Sequence, residues 1–321
     1  MVNASNLVSK TNTLIGTQGN GWASGYLYPG ATYPFGMVQF TPTYFTKQLG
    51  FVINQLSGAG CDHMGNFPTL PIAGALRVSP DSILNMQTPV GKEIGTAGYY
   101  AATVDHSIRA ELTVTERTGM ARYTFSSKEK QGTVIIGGGV AATSIQVAAI
   151  KITGPHSCEG YAEGGAFCGI PTPYKVYFVA EFDADAESFG TWKEERLHAN
   201  HTFAEGSHSG VYFTFPLKEG NQAVQYKIGV SYVSVENARE NLRVENPAWD
   251  FSAVRQATQD KWNEYLGKIE VEGDNEDRQM QFYTHLYRSL IHPNVCSDVN
   301  GEYTVSYTHL RAHETGRNVV C

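Results

Sequence analysis

The chain has 321 residues, a formal net charge of −7 and only 17% charged residues. This length allows a large core and two domains of ordinary size, and the shortage of Lys and Arg argues against a face that binds nucleic acid or an anionic membrane. With 33 Gly, 18 Tyr and 15 Phe, the composition is typical of a β-rich globular protein with many turns.

Residues 98–235 show mainly a period of two. In Ile108–Val114 apolar and polar residues alternate, as in a strand with one side facing water. Further strand-like runs, separated by Gly, Asn, Ser or Pro, are Met120–Phe125, Val134–Ile136, Ser144–Ile152, Tyr174–Phe182, Val211–Leu217 and Val224–Val235. Seven or more strands without intervening helices predict an antiparallel β-sandwich.

Beyond Val235 the period becomes helical. Asn246 and Pro247 are suited to the N-cap and the first position of a helix that runs to about Leu266. A short strand-like stretch, Ile269–Val271, and a turn follow this helix. The sequence therefore predicts a β domain that is followed by a helical one.

A second helix is predicted before Pro293. Its apolar stripe consists of Tyr283, Leu286, Tyr287 and Leu290. A helix cannot bury such a stripe alone, so we expect that the chain is cut short and that much of this surface faces water.

Three segments carry motifs in a fixed order: Leu14–Phe40 (LIGTQGNGWASGYLYPGATYPFGMVQF), Leu56–Pro71 (LSGAGCDHMGNFPTLP) and Phe282–Tyr303 (FYTHLYRSLIHPNVCSDVNGEY). Together they resemble glycoside hydrolase family 92, the calcium-dependent exo-acting α-mannosidases. The family has a Y-P-G-A step and a P-F-G-M-V-Q strand, then an S-G-x-G-C loop, then an F-Y-T-x-L-Y-R-S-L-x-H-P helix. Three ordered motifs make the resemblance specific, and it extends from Asn12 to Tyr303.

The resemblance implies a mainly β fold: an antiparallel β-sandwich followed by linker helices and the first helix of a truncated (α/α)6 barrel. We expect a sandwich of the galactose-mutarotase-like super-sandwich type at residues 1–235, a helical linker at 236–273 and the start of the catalytic domain at 274–304. Residues 305–321 show no core period and resemble read-through of sequencing-adapter DNA, so we expect a non-native tail there.

The family resemblance also implies a function. The expected activity is the inverting hydrolysis of terminal α-mannosides, with calcium as cofactor and mannose-containing glycans as partners. Inversion needs a carboxylic acid and a carboxylate about 6.5–9.5 Å apart. In the family these groups and the calcium ligands lie in the barrel, so we expect no catalytic or metal-binding residues in this chain and an inactive fragment. The intact protein would pair this sandwich with its own barrel.

Six residues are candidates for substrate contact: Trp22, Gln55, Cys61, Asp62, Asn66 and Phe167. The resemblance makes Cys61 a wall of the sugar pocket and Asp62 or Asn66 a partner of a sugar hydroxyl. Gln55 stands where relatives often have His, and Asn66 where many have an acidic residue. Phe167 matches a loop near the domain interface, with core packing as the alternative.

The aromatic residues of the first motif, Trp22, Tyr26 and Tyr28, could stack on a sugar ring or wedge their loop onto the sandwich. In the third motif, Arg288 is expected to tie its helix to the sandwich. By resemblance Asp298 and Glu302 face the barrel mouth, although Asx-turn chemistry around Asn300 and Gly301 would also explain Asp298.

Five cysteines are too few for a disulfide framework, although Cys158 and Cys168 could pair across a Gly-rich stretch or remain free. No stretch is apolar and long enough to span a membrane, and no signal-peptide pattern opens the chain. Relatives usually act in the periplasm or outside the cell, which the resemblance implies here as well.

Two other readings of the sequence stay open. One is a stand-alone carbohydrate-binding β-sandwich, which would not need the helices after Pro247. The other is the sandwich domain of a different glycosidase or phosphorylase with an (α/α)6 barrel. The Leu56–Pro71 loop and the Phe282–Pro293 helix favour the α-mannosidase family over both.

Overall fold

The computed structural model of the protein describes residues 6–17, 27–42, 50–58, 64–81, 90–165, 173–219, 222–305 and 308–311. Within these ranges strands are the most frequent element, and all but two of them belong to two large antiparallel sheets. A short 3-10 helix, Leu7–Lys10, opens the described chain.

The eight-stranded sheet has the order β1 (Ala31–Thr32), β2 (Gln39–Pro42), β3 (Phe51–Val52), β4 (Thr69–Ala73), β9 (Gln131–Gly137), β16 (Ser209–Pro216), β13 (Ser188–Lys193) and β14 (Arg196–Ala199). The nine-stranded sheet has the order β15 (Phe203–Glu205), β10 (Ile145–Gly154), β11 (Ser157–Gly164), β12 (Tyr174–Phe182), β17 (Ala223–Ser231), β8 (Thr118–Thr124), β7 (Ile108–Val114), β6 (Tyr99–Val104) and β5 (Val90–Thr96). A small ribbon consists of β18 (Thr304–Val305) and β19 (Thr308–Arg311).

The main core lies between these two sheets. Phe182 of the nine-stranded sheet places its ring 5.0 Å from that of Phe213 and 4.9 Å from that of Phe215, both on β16 of the other sheet. Along β7 the apolar residues Ile108, Ala110 and Leu112 are fully buried. Since such alternation buries one side of each strand, the predicted antiparallel sandwich is confirmed.

Strand β11 was not predicted, because its stretch reads as a Gly-rich loop. Its inward positions hold Cys158, Gly160, Ala162 and Gly164, which are small and give no strong apolar period. Gly160 sits against β10, where an added Cβ would lie 2.2 Å from the carbonyl oxygen of Ala149. The small residues thus permit close contact between strands, but they leave no alternation of apolar and polar residues in the sequence.

Cys158 is completely buried in this strand and carries a free thiol. Burial raises the pKa of that thiol, which makes it unreactive. Cys168, its suggested disulfide partner, lies outside the described residues.

The described chain contains three α-helices: α1 (Val235–Glu245), α2 (Phe251–Leu266) and α3 (Glu276–Ser289). The apolar period does not reveal α1, although the resemblance implies a helical linker from residue 236. The reason is that the buried face of α1 carries Asn237 and Asn241 in addition to Ala238 and Leu242. None of these helices is long and apolar enough to cross a membrane.

The proposed cap of α2 was wrong. Asn246 ends α1, donating its backbone N–H to Leu242 O, and Asp250 caps α2 by accepting the Ala253 N–H at 2.9 Å. Pro247 therefore lies in the link between the helices. Residues 269–271 form no strand.

Helix α3 buries one side against α2 and the N-terminal segment. Tyr283 is 1% exposed and Tyr287 is fully buried, and the ring of Trp262 on α2 lies 4.7 Å from that of Tyr287. Leu7 and Val8 complete this second apolar cluster, with Tyr28, Ala97, Leu266 and Ile291. The expectation that much of the α3 stripe faces water is therefore wrong for its tyrosines, while Phe282, Leu286 and Leu290 are half-buried.

Candidate functional site

Two asparagines close the base of the segment between β3 and β4. Asn54 Nδ2 donates to Asn66 Oδ1 at 3.1 Å, and the Asn66 N–H donates to Asn54 Oδ1 at 2.8 Å. The neighbouring backbone is bonded as well, since the N–H of Gly65 donates to Asn54 O at 2.9 Å. This reciprocal pairing holds Asn66 beside Asn54, the immediate neighbour of Gln55, and so brings two predicted site residues to the same end of the sandwich.

The Asn66 side chain is completely buried but only half satisfied. Its Oδ1 also accepts a hydrogen bond from the Tyr174 hydroxyl at 2.7 Å, while its Nδ2 has no hydrogen-bond partner. Thr143 Oγ1 lies 3.3 Å from the same hydroxyl. The two acceptor bonds fix the amide orientation, so an unpaired N–H donor remains at this position.

Gln55 shows the complementary situation. It is 1% exposed, and its backbone N–H donates to Gln39 Oε1 at 3.1 Å. Its own Oε1 is buried without a partner. Gln39 is anchored in turn, because its Nε2 donates to Gly36 O at 3.0 Å.

A buried polar atom without a hydrogen bond costs about 1–3 kcal/mol, and proteins leave few of them. Here an unpaired acceptor on Gln55 and an unpaired donor on Asn66 belong to neighbouring parts of one loop base. A sugar hydroxyl can both donate and accept, so the pair is chemically suited to a polyol ligand.

The segment after α3 reaches the same loop. The Ser57 N–H donates to His292 Nε2 at 2.9 Å, and His292 Nδ1 lies 2.8 Å from Asn294 Oδ1. Asn294 Nδ2 donates to Gly36 O at 2.7 Å. The third motif is thereby joined to the first two.

Arg288 ties α3 to the N-terminal segment, as predicted. Its Nη1 donates to Tyr28 O at 2.8 Å, and its Nη2 donates to Thr13 O at 2.6 Å. Tyr28 itself is fully buried beside Tyr287. Tyr28 therefore packs among the side chains of α2 and α3 and has no exposed face for a sugar ring.

Asp298 was expected at the barrel mouth but is 2% exposed. Its carboxylate accepts hydrogen bonds from Ser231 Oγ at 2.7 Å, Asn237 Nδ2 at 2.8 Å and Asn241 Nδ2 at 2.6 Å. The turn that follows is an Asx-turn, in which the Glu302 N–H donates to Asn300 Oδ1 at 2.9 Å. Asp298 thus joins the end of the sandwich to α1 and explains why α1 buries two asparagines.

Burial raises the pKa of Asp298, although the hydrogen bonds from Ser231, Asn237 and Asn241 act in the opposite direction. Because the folded pKa lies above the unfolded value of about 3.9, the folded state holds its proton more tightly, and the stability from this group is lost as pH rises through the folded pKa. We expect the free energy of unfolding of the wild type, measured in urea from pH 4 to 8, to fall with pH relative to that of Asp298→Asn. The opposite slope would mean that the hydrogen bonds outweigh burial.

Two half-buried carboxylates, those of Glu245 and Glu116, are also occupied. Glu245 Oε1 accepts from Arg117 Nη1 at 2.7 Å, and its Oε2 accepts from Thr115 Oγ1 at 2.6 Å. Glu245 and Glu116 line a cleft of about 420 Å³ beside α2, but Glu116 also pairs with Arg117, at 2.7 Å. Calcium requires about 6–8 oxygen ligands, whereas no group of three or more His, Cys, Asp or Glu side chains converges in the described part of the chain. The described residues therefore do not fit a calcium site.

Of the six predicted contact residues, Gln55 and Asn66 lie in the described structure and share the loop base. The other four, Trp22, Cys61, Asp62 and Phe167, lie outside the described residues. Sequence reasoning missed the polar residues that hold this loop base, namely Gln39, Asn54, Tyr174 and Asn294. Only Asn54, next to Gln55, had a local signal.

Two family models match the chain. The model described as the glycosyl hydrolase family 92 N-terminal domain matches residues 11–231. The model described as the glycosyl hydrolase family 92 catalytic domain matches residues 237–318. The two matches together cover most of the chain, in the order that the three motifs predict.

Solved structures with a similar fold include two from Bacteroides thetaiotaomicron. One is a family 92 α-mannosidase, 24% identical, with a TM-score of 0.82 over 93% of this chain and 43% of that chain; its structure with mannoimidazole matches equally well, with a TM-score of 0.82. The other is a family 92 inverting mannosidase, 24% identical, with a TM-score of 0.83 over 95% of this chain and 43% of that chain. This likeness confirms the predicted fold class, a sandwich followed by the first helices.

A curated relative is an uncharacterized secreted glycosidase of Arthroderma benhamiae. It is 28% identical over 90% of this chain, and the match covers 41% of the relative. The chain thus spans about two fifths of the length of the proteins it resembles.

Proposed function

Because this chain belongs to glycosyl hydrolase family 92, we propose that it is the N-terminal, carbohydrate-contacting part of an inverting exo-α-mannosidase that hydrolyses terminal α-mannosides of glycans. The names of the similar structures, an α-mannosidase and an inverting mannosidase, support the reaction. The complex with mannoimidazole supports a mannose-like ligand.

The unpaired polar atoms at the loop base carry the proposal for this chain. Gln55 Oε1 and Asn66 Nδ2 are buried acceptor and donor atoms without partners. We assign them to hydroxyl groups of the bound sugar. By resemblance Trp22, Cys61, Asp62 and Phe167 complete the contact surface, with the aromatic rings on apolar sugar faces.

We assign the acid, the base and the calcium ligands to the part of the catalytic domain for which this chain has no counterpart. The share of the relatives covered, 41–43%, supports this division. The proposed limits are 1–235 for the sandwich, 236–273 for the linker, 274–304 for the start of the barrel and 305–321 for a non-native tail.

The proposed place of action is outside the cytoplasm, in the periplasm or the medium. The relative from Arthroderma benhamiae bears the name of a secreted glycosidase. The low charge density gives no support to a nucleic-acid partner.

We expect the purified chain to leave an aryl α-mannoside intact, with or without calcium. Hydrolysis of such a bond requires the positioned acid and base. The carboxylates of buried Asp298 and half-buried Glu245 are held by other groups. Release of the aryl alcohol is the measurement. Turnover above background that a chelator abolishes would contradict the division proposed for the catalytic groups.

We expect the chain to bind methyl α-mannoside weakly, with a dissociation constant of about 1 mM or higher, equivalent to about 4 kcal/mol or less. The side-chain amide NMR signals of Gln55 and Asn66 should shift during the titration, and Gln55→Leu should weaken binding about fivefold by removing one hydrogen bond. Gln222→Leu is the matched control, because Gln222 Oε1 is also buried and unpaired but lies immediately before β17. Equal affinities of these two variants, or titration shifts only elsewhere, would contradict the assignment.

A further inference from the structure

His292 lies 235 positions along the chain from Ser57, yet the two residues share a hydrogen bond. A backbone N–H can only donate, so His292 Nε2 is the acceptor and carries no proton. The neutral ring then has its proton on Nδ1, which donates to Asn294 Oδ1 at 2.8 Å.

Asn294 directs its amide oxygen toward His292 because its amide nitrogen already has two partners. Its Nδ2 donates to Gly36 O at 2.7 Å and to Ile291 O at 3.0 Å. Two carbonyl partners require the amide nitrogen on that side. The orientation of Asn294 therefore selects the Nδ1–H tautomer of His292.

These hydrogen bonds form a closed ring that includes the backbone of residues 55–57, which we call the sugar-contacting loop base. Gly36 O accepts from Asn294 and also from Gln39 Nε2 at 3.0 Å, and Gln39 Oε1 accepts the Gln55 N–H at 3.1 Å. The backbone N–H groups of Gln55 and Ser57, on either side of Leu56, are thus held from two directions. One anchor comes from β2 of the sandwich, and the other comes from the segment after α3.

We propose that His292 is a positioning residue, which in its Nδ1–H tautomer fixes the Ser57 backbone and thereby aims the side chain of Gln55 at the sugar. This inference rests on the proposed function only for the identity of the ligand. The segment after α3 then helps to set the geometry of a loop on the sandwich. Sugar contact by the sandwich therefore requires the beginning of the helical domain.

The test compares His292→Leu, which removes the acceptor, with His292→Gln, whose side-chain oxygen can replace Nε2. The readouts are the hydrogen exchange rate of the Ser57 amide and the affinity for methyl α-mannoside. We expect His292→Leu to raise the exchange rate about fivefold, as expected for one lost hydrogen bond, and to weaken sugar binding. His292→Gln should restore most of the wild-type exchange rate and sugar affinity. A role of His292 in packing alone would not produce this rescue.

An unchanged Ser57 exchange rate in folded His292→Leu would overturn the inference, and so would a folded His292→Gln that resembles His292→Leu in both readouts. If His292→Leu does not fold, the ¹⁵N signals of the wild-type imidazole decide: protonation at Nδ1 supports the inference and protonation at Nε2 overturns it. If the wild type binds no mannoside, the proposed function fails. The Ser57 exchange rate and the difference between the Gln55 side-chain amide signals of the wild type and of His292→Leu, both without sugar, still decide the positioning role.

Discussion

Ending the chain after Gly273 should lower the free energy of unfolding by about 5 kcal/mol or more, since each large apolar side chain contributes about 1.5–3 kcal/mol on burial. The deletion removes Tyr283 and Tyr287 and uncovers Trp262 and Tyr28, all 1% exposed or less. It also removes the α3 side chains that pack against the 3-10 helix at Leu7–Lys10. If the apolar stripe of α3 instead faced water, as the sequence pattern predicts, the same deletion would leave the free energy of unfolding unchanged and would make the chain more soluble.

The measurement is urea unfolding of the shortened chain beside a chain that ends at residue 305, which keeps α3. Both variants lose the same C-terminal tail, so their difference reports on residues 274–305, which are α3 and the segment after it that carries His292 and Asp298. Equal midpoints together with a higher soluble yield for the shorter chain would show that the sandwich folds independently. The boundary proposed at residue 273 would then separate two autonomous units.

Replacing Arg288 by Ala should cost about 3 kcal/mol or more, because a hydrogen bond from a charged donor contributes about 1.5–3 kcal/mol and the guanidinium makes two short ones. The carbonyl oxygens of Thr13 and Tyr28 would lose a donor in a buried region. Arg288→Lys should recover little, since a single ammonium cannot reproduce the planar fork.

Arg278→Ala provides the matched control for this substitution. Arg278 lies on the same helix, in its first turn, and is exposed, so the same change there should alter stability by no more than about 0.5 kcal/mol. Urea midpoints of the three variants and the wild type give the comparison. Similar losses for Arg278→Ala and Arg288→Ala would mean that helix propensity, rather than the link to the N-terminal segment, determines the effect.

The predictability of each element depended on which residues it buries. Strand β7 was predictable to the residue because Ile108, Ala110 and Leu112 alternate with polar neighbours. Strand β11 and helix α1 were not, since one buries Gly and Ala and the other buries Asn237 and Asn241. A pattern of apolar residues cannot reveal an element whose inner face is small or polar.

The candidate site was predictable only in part, for a related reason. Gln55 and Asn66 followed from the family resemblance, whereas the partners that orient them do not lie nearby in sequence. Tyr174 is 108 positions from Asn66, and His292 is 235 positions from Ser57. A hydrogen bond over such a distance leaves no periodic signal in the chain, so only the folded structure reveals it.

Because α3 packs on Leu7 and Val8, the N-terminal segment can complete its folding only after α3 has been synthesised. The tyrosines that cover these two residues leave the ribosome about 280 positions after them. At a translation rate of about 5–20 residues per second, the N-terminal segment therefore waits roughly 15–60 s for its partner. During that interval its apolar side chains are open to chaperones, and the first motif cannot reach its final place until the third has emerged.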